Sequence, residues 1–302
     1  MKVLSGWSPN ARLAGLRRFA FGITLFNILG HVFLGFEQAY IQPFVALAST
    51  YSMEILLEVI AARREGRKTR FSGGFGQLVD FLLSAHISGL AVGMLLYAND
   101  RLWPLAFAGA FSIASKNFFR VRSDAGDRHV FNPSNLGITL TLIVFPWVGI
   151  APAYMFTENI SGSADWILVG LIVLGGGLLN AKVTKRLTLI VAWLAGFVLQ
   201  SYLRSVFFDT SFIAGLVPMT GVAFILFTFY MVTDPPTTPR SQRGQLLFGF
   251  SVASVYGLLM AFHIVFGLFF ALTIVCTLRY LWFSASVLIP ETSARIPMES
   301  QA

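Results

Sequence analysis

Two short polar stretches interrupted by proline, HVFNPSNLG at 129–137 and MVTDPPTTP at 231–239, each lie against long apolar segments. Proline lacks a backbone N–H and biases the residue before it away from helical angles, which predicts helix breaks near Asn132 and Asp234. At membrane depth such a break is tolerated only where protein or a polar cavity satisfies the freed backbone groups. The two stretches are therefore the candidate site elements.

Ionisable residues inside apolar segments form a second set: His31, Glu54, Glu58, Asp80, His86 and His263. Placing such a group in lipid costs roughly 2.5–3.5 kcal/mol on insertion scales. Glu54 and Glu58 are four apart and share one helix face, where two carboxylates could hold a proton or a cation. The plainer reading of Glu58 is an interfacial pair with the nearby Arg63 and Arg64. Asp80 and His86, six positions apart, do not face each other closely. Asp80 sits where it can snorkel or cap, and His86, nearer the middle of its segment, must be hydrogen-bonded or line a cavity. His263, near a segment end, reads as a satisfied interface residue. Neither HExxH nor GxSxG occurs. The single cysteine, Cys276, excludes an internal disulfide and reads as core packing. Gly175, Gly176 and Gly177 suit close helix packing better than phosphate binding.

The elements that must position these residues are membrane helices. Hydrophobic residues make up 56% of the 302, charged residues 12%, and 30 are phenylalanine, against roughly 25% charged in soluble domains. At about 20 residues per span, ten apolar segments follow: 17–37, 41–62, 76–97, 102–118, 135–151, 166–182, 187–203, 211–232, 245–261 and 263–283. The apolar stretch after Arg18 runs on at spanning length, unlike a cleavable signal. Residues 63–76 and 289–302 are the flexible pieces.

Basic residues test the count. With ten spans and both termini in the cytoplasm, every lysine and arginine except Arg101 and Arg204 falls on the inner side, the positive-inside pattern of a multi-pass protein of a bacterial-type inner membrane. The net charge of +8 is then explained by a basic face beside anionic lipid, with no nucleic-acid partner. The sequon Asn159-Ile160-Ser161 is discounted as a chance match. One polar break follows the fourth span and the other the eighth, so the chain reads as an all-α integral membrane domain, 1–302. Its two inverted five-helix halves, about 17–157 and 165–283, would enclose a site between them.

The blocks SKNFFRVRSDAGDRHVFNPSNLG at 115–137 and TDPPTTPRSQRGQLLFG at 233–249 carry a resemblance. They are similar to the family that contains the RnfD-type membrane protein of Rnf electron-transport complexes and its counterpart in the sodium-pumping NADH:quinone oxidoreductase. The matching positions are Lys116, Asn132, Pro133, Thr233, Asp234, Pro235, Arg243 and Gly244. APAYMFTEN at 151–159, 218–239 and AFHIVFGLFFALTIVC at 261–276 further resemble the branch of that family encoded with enediyne antibiotic biosynthesis. The resemblance implies two inverted five-helix halves and flavin-dependent electron transfer.

Family members with covalent flavin carry Ser-Gly-Ala-Thr upstream of the TDP motif. This chain has Met219-Thr220-Gly221-Val222-Ala223-Phe224, and phenylalanine at the acceptor position has no hydroxyl to esterify. The expected cofactor is accordingly noncovalent flavin mononucleotide or riboflavin, or a quinone-like ring. Asn132, Asn135, Thr233, Asp234 and Thr237 would bind its polar edge, Arg128 and Arg243 would be available to a phosphate, and Lys116, Pro133 and Thr220 complete the expected cofactor-binding set. The expected partners are the bilayer and redox or biosynthetic proteins. Two competing readings remain open: a transporter or self-resistance protein on the same fold without redox chemistry, and a noncatalytic assembly protein.

Overall fold

A computed structural model describes residues 9–121, 128–151, 156 and 158–288. Helix α1 (Pro9–Leu29) widens into a π turn (Gly30–Leu34), and α2 (Ile41–Arg64), α3 (Phe75–Leu95), α4 (Trp103–Phe118) and α5 (Pro133–Val144) follow. Helix α6 (Ser163–Leu178) likewise ends in a π turn (Leu179–Thr184) and leads into α7 (Leu187–Phe207). Next come α8 (Phe212–Leu216) with a 3₁₀ turn (Val217–Thr220), α9 (Val222–Leu226) with a π turn (Phe227–Met231), α10 (Gln242–Ala261) and α11 (Gly267–Leu288). Two antiparallel pairs of two residues each complete the described elements: β1 (Leu96–Tyr97) with β4 (Gly149–Ile150), and β2 (Arg120–Val121) with β3 (Arg128–His129).

Every expected apolar segment contains helix, but not every helix crosses. Seven are long and apolar enough, and an eighth counts if the pair Phe212–Thr220 and Val222–Met231, bent by 71°, is one span. The 16 residues of α4 and 12 of α5 reach only about 24 and 18 Å, short of a hydrocarbon core of about 30 Å. Against the ten spans expected, the described residues give seven continuous spans, one broken one and two helices too short to count as spans.

Local chemistry sets the ends. Pro133 occupies the first turn of α5, where its missing N–H costs nothing. The Asn132 side chain caps that helix by accepting the Asn135 N–H at 3.1 Å. Ser241 caps α10 through the Gly244 N–H at 3.2 Å. The π turns after α1 and α6 close on left-handed residues, Gly35 (φ 83°) and Lys185 (φ 55°). Close approach is also patterned: Gly109 of α4 abuts the Ala46 carbonyl of α2, and Gly249 of α10 abuts the Leu189 carbonyl of α7. Gly176 lies against Phe229 and Gly175 near the Tyr230 hydroxyl, so two of the three adjacent glycines face a neighbouring element, whereas Gly177 faces open space.

The core runs through both halves, and its most aromatic part lies between α7, α9 and α10. Trp193 and Phe197 are fully buried against Phe224, Phe227 and Tyr256. The indole of Trp193 donates to Thr228 Oγ1 at 2.9 Å, satisfying its polar edge. Cys276 is buried at 1% exposure, as expected of a packing residue.

Candidate functional site

The two proline breaks meet. The π turn of α9 ends at Met231, and the turn after it folds about Asp234: the Thr237 N–H (3.2 Å), Thr237 Oγ1 (3.1 Å) and Thr238 Oγ1 (2.8 Å) all donate to the Asp234 carbonyl. Thr233 Oγ1 donates to the Phe229 carbonyl at 2.7 Å. From the other break, Asn132 Nδ2 donates to the Met231 carbonyl at 3.4 Å, and His129 Nε2 stands 3.6 Å from the Asp234 carboxylate. Asn135 Nδ2 reaches α11, donating to the Phe269 carbonyl (3.1 Å) and Thr273 Oγ1 (2.9 Å). The freed backbone groups are therefore satisfied by protein across the junction. Two buried acceptors there have no hydrogen-bond donor, Asp234 Oδ2 and Asn135 Oδ1.

Arginines converge on the same place. Arg186, only 5% exposed, donates from Nε to Thr238 Oγ1 at 2.7 Å and from Nη2 to the Pro235 carbonyl at 3.5 Å. Arg279 of α11 donates to the Thr237 carbonyl, and its guanidinium lies 5.2 Å from the Phe283 ring centre. Burial, then the repulsion of Arg240, pushes Arg186 down to about 10, with Asp234 opposing and Arg128 and Arg279 adding to the fall. Burial and Arg240 likewise lower Arg128. The site is an electropositive junction, and among the described residues Asp234 is the carboxylate that offsets it at Arg186.

The expected site residues sort into four places. Arg128, Asn132, Pro133, Asn135, Thr233, Asp234 and Thr237 surround the junction. Lys116 instead pairs within the first half: its Nζ lies 2.8 Å from Glu54 and 3.3 Å from Ser84 Oγ, tying α4 to α2 and α3. Thr220 is exposed beyond the far end of α9, its hydroxyl donating to the Val217 carbonyl at 2.8 Å. Arg243 is exposed in the first turn of α10. The segments 122–127, 152–155 and residue 157, which carry parts of two resemblance blocks, lie outside the described residues, as do 1–8 and the tail 289–302.

The intramembrane acids are each paired with a base. Glu58, 4% exposed, pairs with Arg67 and, at 3.2 Å, with Arg70, rather than with Arg63 or Arg64. That contact, followed by Glu65, raises Arg67 above its ordinary value. Asp80 forms a two-pronged pair with Arg17 at 2.8 and 2.7 Å. His86 is hydrogen-bonded to Tyr51 Oη (2.5 Å) and Thr24 Oγ1 (2.7 Å). His31 Nδ1 lies 2.9 Å from the Asn27 carbonyl, and His263 is exposed in the α10–α11 turn.

Sequence reasoning missed Arg186, Arg279, His129 and Thr238. Arg279 was findable as the single charge within α11, but a search for ionisable residues that considered only acids and histidines passes over it. Arg186 gives no local signal, because its burial depends on a segment about fifty positions away. No group of three or more His, Cys, Asp or Glu side chains able to hold a metal occurs among the described residues.

The fold defines an all-α, multi-pass membrane protein. Over residues 150–279, somewhat less than half of its length, the chain matches the model of the NQR2, RnfD, RnfE family. The matched region covers Arg186, the Asp234 turn and Arg279, but not the Asn132 break. No curated protein matches the chain.

Proposed function

We propose that the chain is an electron-transfer subunit that holds a flavin or quinone ring noncovalently at the junction of its two broken elements. The observation that carries this reading is the gathering of Arg128, Arg186 and Arg279 about the Asp234 turn, where Asp234 Oδ2 is a buried acceptor without a donor, with a second such acceptor, Asn135 Oδ1, on the facing break. The donor set fits such a ring: guanidinium groups match its carbonyl edge, and the orphaned oxygens match a ring N–H or a quinol O–H. Bound there, the ring would supply the redox chemistry. The chain's part is to fix the ring's edge through Asn132 and Asp234, and to favour added negative charge through the arginines. Phe131, 8% exposed, and Phe248, 4% exposed, exclude water beside it.

Thr220 is an unsuitable covalent anchor to the same junction, because the ten residues of Val222–Met231, about 15 Å of helix, stand between them. In this reading the basic end faces the cytoplasm, the protein works with redox or biosynthetic partners, and its product chemistry is that of an enediyne-type polyketide. The sequence blocks at 218–239 and 261–276 are what support that last assignment.

The test is the absorption spectrum of detergent-purified protein before and after denaturing precipitation, with the intact mass. Flavin or quinone bands released to the supernatant are expected. Bands and added mass staying on the chain would overturn noncovalent binding. A preparation colourless after flavin addition and without extractable quinone would overturn the redox reading in favour of transport or assembly.

A further inference from the structure

Beside the junction, where the π turn of α6, the start of α7 and the start of α10 come together, lies an open cleft of about 320 Å³, lined by Asn180, Lys185, Thr188, Arg240, Gln242 and Gln245 among others. Its floor is built from two buried amides. Asn180, 1% exposed, donates from Nδ2 to the Gly176 and Phe229 carbonyls at 2.9 and 2.8 Å and accepts from Thr184 Oγ1 at 2.7 Å. The Asn180 carbonyl also accepts the N–H groups of Lys185 and Arg186, holding Lys185 left-handed. This geometry divides two adjacent bases: Arg186 turns into the protein, whereas Lys185 stays exposed at the cleft beside exposed Arg240.

Gln245, 2% exposed, donates from Nε2 to the Lys185 carbonyl at 3.1 Å and to the Arg240 carbonyl at 3.3 Å. Those two acceptors fix the orientation of the amide, because the flipped amide would set its oxygen against both carbonyls. Its Oε1 is thereby left buried without a donor, a costly state for a polar atom. The cleft thus combines two exposed cations with one acceptor that needs a donor.

The surroundings name the source of a matching ligand. Leu187 lines the cleft, and Val191 on α7 with Leu246 and Leu247 on α10 continue from it as apolar side chains 41–71% exposed. That is the face a spanning helix turns to acyl chains. We propose that this cleft binds the headgroup of a bilayer phospholipid whose phosphodiester is followed by an N–H or O–H donor, such as an ethanolamine or glycerol headgroup. Lys185 and Arg240 take the phosphate, Gln245 Oε1 takes the donor, and the leucine and valine side chains take the tails. A choline headgroup has the phosphate but no donor, and is selected against.

The test is native mass spectrometry of the full chain, released from detergent with equal amounts of phosphatidylglycerol, phosphatidylethanolamine and phosphatidylcholine of identical acyl chains. The first two are expected to be retained about tenfold over the third, the effect of one hydrogen bond made or lost at a buried acceptor. Lys185→Gln, a change at an exposed side chain, is expected to lower retention of all three, and Gln245→Leu to remove the preference against choline. Should Gln245→Leu fail to fold, the parent's headgroup order and Lys185→Gln still decide. Equal retention of the three lipids by the parent, or unchanged retention in Lys185→Gln, overturns the proposal. So does displacement of the lipid by millimolar inorganic phosphate, which would mark a site for a free anion.

Discussion

Arg186 shows most directly what the junction costs. A base whose folded pKa is pushed down to about 10 holds its proton less well folded than unfolded. At neutral pH its charge therefore opposes folding, and the penalty fades only as pH rises above about 10. The shift corresponds to about 3 kcal/mol, offset by two hydrogen bonds worth about 1 kcal/mol each. Arg186→Met is thus expected to leave the thermal midpoint in detergent unchanged or slightly raised while cofactor retention is lost. A large fall in the midpoint would show that the guanidinium is there for structure. Asp234→Asn and Asn132→Ala are expected to abolish retention in protein that still elutes as a single species, and normal retention in both would remove the ring from the junction. Asn132 and Asp234 are legible in sequence because proline acts on its immediate neighbour. Arg186 and Arg279 are not, because what buries them is the far side of another helix.

At the scale of elements, the ion pairs explain why charged residues survive in apolar helices. Glu54 and Lys116 are 18% and 13% exposed and join α2 to α4. Removing one partner of such a pair strands the other, at a cost of about 3 kcal/mol, whereas removing both is far milder. Glu54→Gln and Lys116→Met are each expected to lower the thermal midpoint, and the double variant to recover at least half of the loss. Additive losses would show that the two do not act as a pair. The same contact measures depth. Glu54 lies ten residues, about 15 Å, before the end of α2, so α4 stops well inside the level that α2 reaches. Spacing in sequence places both carboxylates on one face, but not the lysine that pairs with Glu54, which arrives from α4 more than fifty positions later.

On the scale of the whole molecule, α4 and α5 leave from and return to one end. Leu96 pairs with Ile150 across β1 and β4, and the Arg101 guanidinium lies 4.6 Å from the ring centre of Trp147. Between those points the chain descends to the recessed hairpin β2–β3 beside Asp234. With two spans or one re-entrant excursion the parity of the chain is unchanged, so every other loop keeps its side, and only the bases between α4 and α5 change sides between ten crossings and eight. That is why the charge pattern is legible in sequence while the number of spans is not: loop charge reports parity, and span length is decided by where neighbouring helices can satisfy a broken end. Because Cys276 is 1% exposed, single cysteines can be read against a silent background with a membrane-impermeant thiol reagent. Lys68→Cys and Arg101→Cys are expected to label from opposite sides of sealed vesicles, and Arg120→Cys from the Lys68 side through the recess that holds the junction. Labelling of Arg120→Cys from the Arg101 side would instead make α4 and α5 a re-entrant pair open to the other face, and would move the entry to the proposed ring site across the membrane.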